Sequence, residues 1–206
     1  LFSGYHGWTD WYLAANIKSS KSLDNHLLPG LEPTGVPPGL ANTVIPFKYD
    51  DIEDFERVYS KNKDCGIICI EGARYDYPDK KFLKKIMSVA KKNNLIIISD
   101  EITSGFRMTD GGVYKLNGFA PDIVVYAKAL GGGYPIAAIL GTDDVMYAAQ
   151  DTFMSSTMWT ERVGPSAALA MLTKHTRENI SSHLVSTGLS VKNIWTDAAK
   201  KYKLKV

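Results

Sequence analysis

Short apolar runs alternate along this chain with segments whose hydrophobic positions fall at helical spacing. Gly66-Ile67-Ile68-Cys69-Ile70, Leu95-Ile96-Ile97-Ile98-Ser99 and Ile123-Val124-Val125-Tyr126-Ala127 are apolar at consecutive positions and rich in β-branched residues. That is the pattern of strands buried on both faces. Pro135 to Leu140 is expected as a fourth strand. Tyr77-Pro78-Asp79 reads as a helix entry, after which Phe82, Leu83, Ile86, Met87, Val89 and Ala90 share one face until Asn93-Asn94. Lys80, Lys81, Lys84 and Lys85 then form the solvated face of that helix. Further helices are expected from Pro165 onward, through Ala167, Ala168, Leu169, Met171 and Leu172, and from Leu184 to Tyr202. Segment 20–50 is rich in proline and glycine and reads as a long irregular excursion, which is uncommon unless it lines a site or an interface.

Strand, helix, strand in this order predicts an α/β fold, a mostly parallel sheet with helices on both faces. In such sheets ligands gather beyond the carboxyl ends of the strands. A chain of 206 residues is long enough for a substantial core. Its formal charge of +2 recommends neither a nucleic acid nor an acidic membrane as partner. No apolar run approaches the roughly 20 residues that span a bilayer, and no signal peptide opens the chain. The first residue is Leu1, not methionine, which suggests a piece of a longer polypeptide. Cys65 and Cys69 sit in or beside an apolar run and are expected as buried, reduced thiols of a cytoplasmic protein; no metal site is expected.

Two residues stand out chemically. Lys128 follows the third run, flanked by apolar residues and then by Gly131-Gly132-Gly133. A desolvated lysine is a usable amine nucleophile, as Schiff-base chemistry requires; the alternative is a strand-end lysine that reaches out to water. Asp100 ends the second run, so the two face the same crevice on topological grounds. A carboxylate there suits a protonated pyridine nitrogen, although turn and N-cap aspartates are common after strands. Phosphate-loop and dinucleotide glycine patterns are both absent.

The stretch Asp100-Glu101-Ile102-Thr103-Ser104-Gly105-Phe106-Arg107, then Gly111-Gly112, Pro121-Asp122-Ile123, and Lys128-Ala129-Leu130-Gly131-Gly132-Gly133-Tyr134-Pro135-Ile136 resembles the signature of the class III aminotransferases. These are fold-type I enzymes that use pyridoxal 5'-phosphate (PLP). Within them the sequence most resembles glutamate-1-semialdehyde 2,1-aminomutase and its relatives, from about Ser3 to Ala170. The resemblance implies that Lys128 holds PLP as a Schiff base, that Asp100 bonds the pyridine nitrogen, and that Tyr5 and Ile102 pack on opposite faces of the ring. It also brings His6 into the cofactor site, without a proton-transfer role, through the Tyr5-His6-Gly7 element. Glu71 matches the glutamate of a Glu-Pro element near the cofactor, but Gly72 replaces the proline and Ala73-Arg74 the usual polar positions. Thr157 or Thr160, with Ser156 beside Thr157, occupies the place of a threonine that crosses a dimer interface to the partner's PLP phosphate; Thr157 is preferred.

The implied activity is PLP-dependent amino-group transfer between small amino and oxo compounds in a homodimer. Alternatives are intramolecular transfer of the aminomutase type, a catalytically incomplete fragment that keeps the fold, and a lysine aldolase without PLP. Residues 1–172 are expected to be the PLP-binding large domain and 173–206 a helical connection toward a small C-terminal domain. The family's phosphate loop precedes the position of Leu1, so the chain in isolation is expected to be inactive.

Overall fold

The computed structural model describes residues 1–206 except 8, 25, 27–29, 75 and 206. Five strands form one sheet in the order β1 (Phe2–Ser3), β2 (Ile67–Glu71), β3 (Ile96–Asp100), β4 (Ile123–Tyr126), β5 (Ala138–Gly141). The first four run parallel and β5 is antiparallel to β4. Three expected strands thus appear within a residue of their apolar runs, and the expected fourth is shorter than Pro135–Leu140. β1 was not expected, because two residues carry no periodicity.

Seven α-helices are described: α1 (Asp10–Leu13), α2 (Ile52–Lys61), α3 (Lys80–Asn93), α4 (Tyr114–Asn117), α5 (Asp143–Tyr147), α6 (Val163–Arg177) and α7 (Ile180–Tyr202). Asp79 caps α3 by accepting from Lys81 N–H, and Asn94 closes it in the left-handed conformation. No expectation covered α2, although Asp51 caps it, Glu53 and Asp54 sit in its first turn and Lys61 in its last. Both terminal helices begin earlier than expected, and the expected domain boundary at 172 falls inside α6.

The sheet's two faces are covered differently. Ile68, Ile70 and Ile97 pack against Phe55, Val58 and Tyr59 of α2 and Phe82, Leu83 and Ile86 of α3. Val124 and Tyr126 continue that face against Phe106, Leu130 and Ala168 of α6. The opposite face receives the short α1 and a 3-10 turn at Ala14–Asn16, whose Tyr12, Leu13 and Ala14 pack beside Cys69. Segment 20–50 runs on from there as an irregular stretch with one 3-10 turn at Pro38–Leu40 among its described residues. Cys65 and Cys69 are free and only half-buried, a correction to the expectation of buried thiols: Cys69 lies on the face of the sheet that lacks a long helix, and Cys65 precedes β2 at the margin of the α2–α3 core. No described helix is long and apolar enough to cross a membrane.

Candidate active site

Asp100 is the last residue of β3, in register with Glu71 of β2 and Val125 of β4. Its side chain is buried and both oxygens are engaged. Oδ1 accepts from Ile102 N–H at 2.9 Å and Oδ2 from His6 Nδ1–H at 2.8 Å. His6 Nε2–H donates to the carbonyl of Ser3 at 3.0 Å. A carbonyl and a carboxylate both only accept, so both ring nitrogens carry protons and His6 is an imidazolium. Burial opposes that charge, but the hydrogen bonds to Asp100 and Cys69 and the charges of the same two groups outweigh it, raising the His6 pKa from 6.5 to about 10. Cys69 Sγ lies 3.6 Å from His6 Nδ1.

These groups surround a cavity of about 370 Å³ lined by His6, Trp11, Cys69, Ile98, Asp100, Ile102 and Val125, with Leu1, Thr43, Val44 and Ile67 completing it. Its walls are mostly aliphatic with one carboxylate, the composition of a small-molecule site.

Lys128 enters differently. Its residue adopts the left-handed conformation, φ 47°, at the start of a 3-10 turn Lys128–Gly131 that Gly132 and Gly133 end with positive φ. For a side-chain-bearing residue that backbone costs on the order of 1 kcal/mol, a strain typical of functional positions. The side chain is exposed, so desolvation is not what activates it, contrary to one expectation from its apolar neighbours. It lines a neighbouring depression with Ala127, Gly133 and Tyr134, not the Asp100 cavity. Its Nζ nevertheless donates to Thr103 Oγ1 at 2.8 Å, one residue beyond Ile102. The 100–104 loop therefore carries the carboxylate, the aliphatic and the amine's partner.

Glu101 holds that loop. Fully buried, it accepts from the hydroxyls of Ser99 and Ser104 and from the N–H groups of Val113 and Tyr114. A Cβ on Gly72 would stand 2.3 Å from Glu101 Oε1, which gives the absence of proline there a steric reason. Glu71 is buried, pairs with Arg74, and accepts from Tyr5 N–H at 3.2 Å. Arg74 also donates to the carbonyl of His26 at 2.7 Å. Tyr5 packs edge-on against Tyr12, with ring centroids 5.6 Å apart. Neither Tyr5 nor Glu71 lines the Asp100 cavity. Ser156, Thr157 and Thr160 lie in an exposed loop, where Ser156 Oγ accepts from Met158 N–H at 3.2 Å.

The structure thus brings Asp100, Ile102 and His6 together at one cavity, places Lys128 in a separate depression tied to the same loop through Thr103, contrary to the expected shared crevice, and leaves Ser156 and Thr157 on the surface. Sequence reasoning did not find the His6–Asp100 bond, the role of Glu101 or the Thr103 contact.

The fold is that of known transaminase structures. The structure described as the PLP internal aldimine form of the FumI protein of Sphingopyxis sp. MTA144 superposes with a TM-score of 0.82 at 17% identity, over 98% of this chain and 47% of that one. Acetylornithine aminotransferase of Elizabethkingia anophelis gives 0.67 at 26% identity, over 76% of this chain and 43% of that one. The chain belongs to the class III aminotransferase family, whose model matches residues 2–205. It is 32% identical to a 3-aminobutyryl-CoA aminotransferase of Cloacimonas acidaminovorans over 90% of this chain and 42% of that protein. A glutamate-1-semialdehyde 2,1-aminomutase of Nitrosopumilus maritimus is 33% identical over 64% of this chain and 32% of that protein. The chain spans less than half the length of these relatives.

Proposed function

We propose that this chain is the cofactor-bearing part of a PLP-dependent enzyme that transfers an amino group between small amino and oxo compounds, with Lys128 as its catalytic residue. The observation that carries the reading is the single loop 100–104, which serves both the Asp100 cavity and the Lys128 amine. The residues fit the cofactor. Asp100, hydrogen-bonded to His6, has lone pairs left for a pyridinium N–H. Ile98, Ile102 and Val125 supply apolar walls for the faces of an aromatic ring.

PLP, when bound, supplies an electron sink that makes a proton on the substrate carbon removable. Asp100 would hold the proton on the ring nitrogen, and His6 fixes Asp100 through its Oδ2. The Lys128 amine would take the proton from the substrate carbon as general base and, as the ammonium so formed, return it to the cofactor's reacting carbon as general acid. Tyr5, Glu71, Ser156 and Thr157 are proposed as further cofactor contacts, the last two toward a partner subunit in a cytoplasmic homodimer. Residues 1–172 are proposed as the large domain and 173–206 as its link to a smaller one.

Intramolecular transfer is a second reading, favoured by the similarity to an aminomutase. Exchange of the amino group with added oxo acids separates it from transfer between two substrates. For the main reading, PLP added to the chain should give a visible absorbance that Lys128→Ala abolishes. A variant that kept both that absorbance and amine turnover would remove Lys128 from the mechanism.

A further inference from the structure

Lys128 is exposed and joined to the backbone through a left-handed residue, so its long side chain has little packing to fix its end. A lysine amine on a four-carbon stem samples many rotamers when free. Among the described residues the end is held by one hydrogen bond, Nζ–H to Thr103 Oγ1 at 2.8 Å, within the range of a well-formed hydrogen bond. The acceptor is itself rigidly placed. Ile102 N–H before it is tied to Asp100 Oδ1, and Ser104 after it donates to the buried Glu101. Thr103 thus projects from a loop clamped on both sides, and its own exposed side chain has no part in the core.

We propose that Thr103 is a positioning residue for Lys128. Its hydroxyl holds the lysine amine whenever that amine is not joined to the cofactor. This rests on the reading of Lys128 given above and extends it to the intervals in which the amine is free. With one N–H donated to Thr103, Nζ is held at the loop that also carries Asp100 and Ile102. The amine then stays aligned for attack on the cofactor and for proton transfer at the substrate carbon. A held amine is also less available to a small reagent that diffuses in from solvent, so the hold has opposite effects on the two kinds of reaction.

That opposition is the test, made with Thr103→Val and Thr103→Ser in the whole enzyme of which this chain is proposed to be the cofactor-bearing part. In the cofactor-free protein, formaldehyde with a mild reductant methylates lysines, and mass spectrometry reads each site. Lys128 should label about threefold faster in Thr103→Val, the factor that matches loss of one ordinary hydrogen bond, with the other lysines unchanged. In the PLP-loaded protein the same variant should transfer amino groups about tenfold more slowly, as expected for a misplaced proton-transfer group. Thr103→Ser, which keeps the hydroxyl, should restore both values. Unchanged Lys128 labelling in Thr103→Val overturns the proposal. Loss of activity that serine fails to restore also overturns it. Failure of the PLP reading has a different signature: wild-type protein with added PLP shows no absorbance that depends on Lys128, whatever the labelling rates.

Discussion

His6 is the residue whose chemistry the packing changes most. Its folded pKa of about 10 stands above the ordinary 6.5 because Asp100 and Cys69 stabilise the imidazolium more than burial disfavours it. Below pH 6.5 both folded and unfolded chains hold the proton, and the stabilisation is fully present. Between 6.5 and about 10 the folded chain binds more protons than the unfolded one, so stability falls as pH rises. Wild-type protein should therefore lose more melting temperature between pH 7 and 10 than His6→Gln does, the gap corresponding to at least about 1.4 kcal/mol, the value of one pKa unit. Parallel melting curves for the two proteins over that range would contradict the charged pair. Lys128 and Asp100 stand out in the sequence as polar residues set against apolar strands, and only their pairing and the family resemblance single them out as site candidates. Their partners were not legible there: His6 lies 94 positions from Asp100, and a threonine in a turn has many ordinary explanations.

At the scale of elements, the 100–104 loop depends on a carboxylate that never meets the cavity. Glu101 satisfies four donors from β3, its own loop and the start of α4. Glu101→Ala leaves these donors buried without partners, and the expected loss is about 3 kcal/mol or more, measured by urea unfolding. Gly72→Ala should act on the same contact by forcing its Cβ into the carboxylate. The parallel strands were readable because consecutive β-branched residues leave little else possible. The direction of β5 was not inferred, although the connection from β4 holds only a 3-10 turn, too little for the crossover that a parallel pair needs. The α2 helix was missed at the edge of the proline-rich excursion, where its cap and spacing were overshadowed by the breakers before it.

Taken whole, the molecule is packed unevenly, and α7 is its least supported part. Of its 23 residues only Ser181 and Ala199, near the two ends, are buried. Leu184, Val185, Leu189, Ile194 and Trp195 all face solvent. Asn179 makes no side-chain cap bond at its start, and Gly188 interrupts its interior. A helix of this kind derives its stability from tertiary burial, which it lacks across its middle. By contrast α3 sets Phe82, Leu83, Ile86 and Ala90 into the core and is sealed at both ends. In dilute protein the amides of residues 184–198 should exchange with deuterium roughly a hundredfold faster than those of α3, the ratio given by an opening difference of about 3 kcal/mol. The proposed homodimer adds a second condition: if self-association covers this face, protection in α7 rises with protein concentration while that of α3 stays constant. Protection equal to that of α3 at the lowest concentration measured would mean that α7 is held by something other than either its own packing or a second copy.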